Sequence, residues 1–205
     1  MKQYVIMITG LVFAQILFQR CGTANAEMPF GDYIHWVEDE SNGLHVSKKM
    51  GGYVFDLQYK PAEYVVISES VEALPDAAQL KSETEGIADM QYYTFRISAE
   101  NGKDLLGDDL GSAQEFSSRL NYFTTIMQHD LSLVQNGDTL PCLLFHFERT
   151  FGVDTRSTFL LGFPSGGTSP GERTFIYNDH ELGTGPIMIG IDQNSIENIP
   201  LLKPE

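Results

Sequence analysis

Residues 131–148 read Leu131-Ser132-Leu133-Val134-Gln135-Asn136-Gly137-Asp138-Thr139-Leu140-Pro141-Cys142-Leu143-Leu144-Phe145-His146-Phe147-Glu148, and this stretch decides the fold class. Asn136 and Gly137 both tolerate the positive φ that a tight primed turn demands, so Leu131 to Val134 should fold back on the run from Leu140 to Glu148 as a β-hairpin. Alternation of apolar and polar residues extends the β pattern in both directions. Tyr53, Phe55, Leu57 and Tyr59 share one face, with Val54, Asp56 and Gln58 on the other, and Gly51-Gly52 before them predicts a second hairpin near residues 44–59. Tyr93, Phe95 and Ile97 oppose Tyr92, Thr94 and Arg96 on a strand that stops at Asn101-Gly102. Further strands read at Thr158 to Phe163, Thr174 to Tyr177 and Pro186 to Ile191, the last with Ile187, Ile189 and Ile191 on one face.

Two stretches break the period of two. Ala113, Phe116, Leu120, Phe123 and Met127 recur at spacings of three and four behind a Ser112/Glu115 capping box, which predicts an amphipathic helix. A weaker helix follows Pro75-Asp76, with Ala73, Ala77, Leu80 and Ile87 at helical spacing and Gly86 near its end. Residues 62–72 fit either state: Tyr64-Val65-Val66-Ile67 favours a strand, the acid spacing a helix. Residues 164–172, rich in Gly, Ser and Pro, read as a surface loop. Strands interrupted by two amphipathic helices predict an α+β fold, mainly antiparallel β-sheet or sandwich, rather than alternating βαβ units.

The chain has 205 residues, of which 42% are apolar and 20% charged, enough for one core. Its first 18 residues combine Lys2 with an apolar stretch too short for a comfortable membrane helix, and a polar region then ends in Ala24-Asn25-Ala26. This pattern reads as an export signal cut between Ala26 and Glu27, leaving one α+β domain over residues 27–205. In the alternative reading Cys21 is the lipidated first residue of a bacterial lipoprotein, against which stand the large residues Gln19 and Arg20 just before it. The expected location is the periplasm, the cell surface or the medium, with a lipid at Cys21 as the one membrane attachment. Removing residues 1–26 takes away Lys2 and Arg20, so 13 basic against 28 acidic residues becomes 11 against 28, a net charge of −17. A surface of that sign excludes nucleic acid as an expected partner. Cys142 is then the one cysteine left in a mature chain cut at Ala26, and its apolar neighbours predict a buried, inert thiol.

The motifs favour no catalytic constellation. Cys142 and His146 fall on one strand face, but four residues of strand span about 13 Å, too far for a nucleophile and its base. The five histidines show no paired-ligand spacing, so no metal is expected. Glu38, Glu40, Asn42 and Gly43 loosely mimic a calcium loop whose twelfth position, Lys49, lacks the needed carboxylate. Asp104, Asp108 and Asp109, among Gly102, Gly107 and Gly111, read as solvated turn acids. Neither a phosphate-binding glycine loop nor a nucleotide fingerprint occurs, so no cofactor is expected. Recognition by surface remains, with Trp36, Tyr92 and Tyr122 as candidate binding residues that stack on a sugar or anchor a protein interface. The expectation is an exported cell-envelope protein of non-enzymatic binding or assembly type, recognising a protein or glycan partner. Its rival is an exported hydrolase, glycan-acting in one version, that uses a carboxylate pair drawn from acids such as Asp56, Glu148 and Asp179.

Overall fold

A computed structural model describes residues 25–70, 74–106, 111–149, 154–166 and 171–203. Cys21, Ala24, Ala73, Asp108 and Asp109, like most of the expected export signal and part of the loop at 164–172, lie outside the described residues.

The alternating segments form two antiparallel sheets. The larger is built from β2 (His45–Met50), β3 (Tyr53–Lys60), β4 (Met90–Ala99), β8 (Ser157–Pro164) and β7 (Leu144–Glu148), side by side in that order. The smaller has the order β10 (Pro186–Ile191), β9 (Arg173–Asn178), β5 (Leu131–Gln135) and β6 (Asp138–Pro141). Both expected hairpins are present. Gly51 and Gly52 turn β2 into β3 at φ 61° and 82°, and Asn136 and Gly137 turn β5 into β6 at φ 54° and 87°. The run 140–148 does not continue as one strand. After Pro141 it leaves the smaller sheet at Cys142-Leu143 and enters the larger one as β7, so it serves as an edge of both.

The two sheets share one core. Phe55 and Leu57, then Tyr93, Phe95 and Ile97, then Phe159, Leu161 and Phe163 face inward from the larger sheet. Leu131, Leu133, Phe175, Tyr177, Ile187, Ile189 and Ile191 meet them from the smaller. Phe95 is central, its ring centroid 4.8 Å from Phe175 and 5.8 Å from Tyr177. Each such side chain contributes about 1.5–3 kcal/mol by leaving water.

Among the described residues there are five α-helices where two were expected. α3 (Ala77–Gly86) is the weaker expected helix, capped by the Asp76 carboxylate, which accepts from the N–H groups of Ala78 and Gln79. α4 (Ala113–Asn121) is the stronger one, with the Ser112 hydroxyl accepting from the N–H of Glu115. It runs on as a widened π turn at Tyr122–Ile126 and a tight 3₁₀ turn at Met127–Asp130. The ambiguous stretch is α2 (Ala62–Glu69), which Pro61 starts and which buries Tyr64, Val66 and Ile67. α1 (Phe30–Glu38) and α5 (Gln193–Glu197) complete the set. Phe30, Tyr33 and Val37 of α1 pack with Tyr64, Val66 and Ile67 of α2 and Leu80 of α3 in a second apolar cluster. Two short parallel strands, β1 (Glu27–Met28) and β11 (Leu201–Leu202), join the first and last of the described segments. The Asn25 side chain donates to the carbonyls of Glu197 and Ile199, and the Leu201 N–H to that of Ala26.

Candidate functional site on the outer face of the larger sheet

The strand registers set the outward residues of the larger sheet in cross-strand rows. One row runs Lys60, Tyr92, Gly162, Leu144 across β3, β4, β8 and β7. The next runs His45, Gln58, Thr94, Leu160, His146, and the third Ser47, Asp56, Arg96, Thr158, Glu148. Val65, Ser68 and Glu69 share one face of α2 by their spacing of three and four, and this face walls the first two rows. Between wall and rows lies a cleft of about 290 Å³, lined mainly by apolar atoms, with Tyr92 and Leu160 in its floor and His146 at the β7 end. Gly162 keeps the floor open under Leu144, since a Cβ there would lie 2.9 Å from that of Leu144. Next to the cleft Leu143 and Leu144 are 59% and 40% exposed.

Lys60 closes the β3 end. Its ammonium lies 5.7 Å from the centroid of the Tyr64 ring and is in no ion pair among the described residues. Burial lowers its proton affinity and the Arg96 guanidinium lowers it further, while Glu148, Glu69 and Glu38 act the other way. Tyr92 is pushed up by burial and by the nearby carboxylates of Asp89 and Glu69. Both groups therefore sit in a drier environment than an open surface provides.

The third row is charged; the sequence offers its Asp56 and Glu148 as candidate acids but not the cluster around Asp56. The Asp56 carboxylate accepts from the Ser47 hydroxyl at 2.7 Å and from Arg96 Nη1 at 3.5 Å, and it also meets His45 Nε2. His45 Nδ1 lies 3.6 Å from Glu40. Here the acid holds both serine and imidazole, whereas a hydrolytic relay needs the imidazole between the other two. The Gly51-Gly52 turn already pairs residue 47 with residue 56, so half of this cluster was readable. The long-range pairing that adds Arg96 was not.

The named candidates separate. Tyr92 and His146 meet in the cleft. Trp36 lies on α1, half-buried against the second apolar cluster, away from that cleft. Tyr122, expected as a surface binding residue, is instead buried at 6% exposure. The widened π turn brings both Tyr122 and Phe123 inward. There the Tyr122 hydroxyl donates to Asp130 at 2.7 Å and lies 3.2 Å from the Tyr177 hydroxyl, which in turn donates to Asp179 at 3.0 Å. His180 Nδ1 completes the chain 3.1 Å from Asp130.

The three acids considered for hydrolysis do not come together. Asp56 and Glu148 share a row but stand three strand spacings apart, about 14 Å. A glycosidase pair spans about 5–9.5 Å. Asp179 lies at the end of the other sheet, its oxygens taken by Tyr177 and by the loop that follows it. Cys142 is buried in the sandwich core, where burial pushes its thiol up to about 12, whereas His146 lies on the outer face, so the two are not partners. In the calcium-like segment Glu38 accepts from the Tyr64 hydroxyl, Asn42 donates to the Trp36 carbonyl and Lys49 pairs with Glu100. Among the described residues no group of three His, Cys, Asp or Glu side chains is placed to hold a metal.

No protein-family model matches the chain, and no curated protein matches it. Among solved structures it is similar to a DUF4426 family protein from Pseudomonas aeruginosa PAO1, at 10% identity over 72% of this chain and 90% of that one, with a TM-score of 0.34. A likeness of that size carries no functional argument.

Proposed function

We propose that this protein is an exported cell-envelope component of the non-enzymatic binding type, and that it recognises its partner through the outer face of the larger sheet. The observation that carries the reading is the apolar cleft between that sheet and α2, with Tyr92 in its floor and the exposed Leu143 and Leu144 at its side. A water-facing sheet surface is ordinarily polar, and a concave apolar slot beside exposed leucines is what a binding surface needs. The export signal read at residues 1–26 supports an envelope location.

The test places a photo-cross-linking residue at Tyr92, at Leu144 and, as control, at Met188, which is exposed on the smaller sheet. With each variant expressed in the native host, positions 92 and 144 should give the same discrete adduct in the envelope fraction and position 188 should not. Adducts from position 188 alone, or a protein found wholly in the cytosol, would sink the proposal.

A further inference from the structure

The shape and charge of the cleft narrow its occupant. It extends from Lys60 on β3 across Tyr92 and Leu160 to Leu144 and His146 on β7, which is three strand spacings or about 14 Å. A cleft of about 290 Å³ holds one extended chain of methylene groups and is too small for a lipid with two chains, and its apolar lining offers a sugar ring few hydrogen bonds. Its walls, Val65, Leu144, Leu160 and the Tyr92 ring, offer dispersion and apolar burial with few hydrogen bonds. At the β3 end the Lys60 ammonium is half-buried and without a carboxylate within ion-pair distance among the described residues. Glu69 also lines the cleft, and Glu148 and Glu38 act on Lys60 as well, so the local field is mixed; none of these carboxylates is within ion-pair distance of the ammonium, and Arg96 adds a second cation near it.

We infer that the cleft takes a linear aliphatic carboxylate as a free monomer, its chain laid across the strands and its head paired with Lys60. This rests on the cleft being the recognition surface. An anionic head is complementary to Lys60 because it replaces lost hydration with a charge-assisted hydrogen bond, and it offsets the repulsion from Arg96.

The probes are decanoate, decanol and vesicles of an anionic phospholipid, titrated calorimetrically into the mature protein and into two variants. Lys60→Met removes the cation, and Leu144→Glu puts a charge in the slot at a position exposed enough to tolerate it. Decanoate should bind at least tenfold more tightly than decanol, and Lys60→Met should reduce that ratio about tenfold. Leu144→Glu should weaken both ligands, and the vesicles should not bind. Equal affinity for decanoate and decanol, both lost in Leu144→Glu, would overturn the carboxylate assignment and leave the cleft as the recognition surface. Vesicle binding without decanoate binding would also overturn it. If neither decyl ligand binds, the inference fails; cross-links at Tyr92 and Leu144 then show whether the broader reading survives.

Discussion

At Asp179 a single carboxylate holds a loop together. It accepts from the Tyr177 hydroxyl, from the N–H groups of Glu181, Leu182 and Thr184, and from the Thr184 hydroxyl. Burial alone would raise its proton affinity, but the backbone N–H groups of Leu182 and Thr184, with the Thr184 hydroxyl, bring it below that of an ordinary aspartate. Because the folded-state value is the lower one, the stabilisation is complete above about pH 4 and is lost as the pH falls through the folded value. Asp179→Ala strands three backbone donors and should cost about 3 kcal/mol or more, read as a lower thermal midpoint at pH 7. The gap between variant and parent should narrow in melts below pH 4; a constant gap would contradict the charged acceptor. This role was not legible in the sequence, where Asp179 was one acid among many. Tyr92 was legible because strand alternation fixes which side a residue takes. Tyr122 was misread because a π turn, which no local pattern announced, altered the helical register.

Among the elements, the two glycine turns separate backbone strain from crowding. Gly137 has φ 87° and open space where a Cβ would lie, so Gly137→Ala should cost about 1–2 kcal/mol from conformation alone. Gly51 has φ 61°, and its Cβ would lie 2.7 Å from Cγ2 of Thr184, a donor to Asp179. Gly51→Ala should therefore cost more than Gly137→Ala, with urea midpoints falling in that order and slopes unchanged. Both hairpins could be read because turn chemistry and alternation agree within a few residues. The break at Cys142-Leu143 could not, since only the competition of two sheets for one strand reveals it. α1 had its signal, Phe30, Tyr33 and Val37 at spacings of three and four, yet nine residues of helix depend on the second cluster for stability. The same holds for α2, whose β-branched residues suit a strand until Pro61 and the cluster decide otherwise.

For the whole molecule, the contest is between a shared aromatic core and a surface of one sign. Phe95 touches rings of both sheets, so Phe95→Ala should cost about 3–5 kcal/mol and lower the midpoint by every probe at once. A loss confined to one spectroscopic signal would show that the sheets unfold separately. With 11 basic against 28 acidic residues after residue 26, self-repulsion opposes the compact state. Raising sodium chloride from low to physiological strength should raise the thermal midpoint, whereas a falling midpoint would mean that ion pairs such as Arg119–Glu181 dominate. The β1–β11 pairing carries a consequence for the order of events in the cell. Asn25, Ala26 and Met28 are hydrogen-bonded by residues 197–203, which are synthesised long after them. Until those residues emerge, the peptide bond after Ala26 lies in a stretch without these partners, open to a leader peptidase; once they dock, the same bond borders a paired strand. Cleavage of the proposed signal there would thus race the docking of residues 197–203, and the enzyme would have to act first.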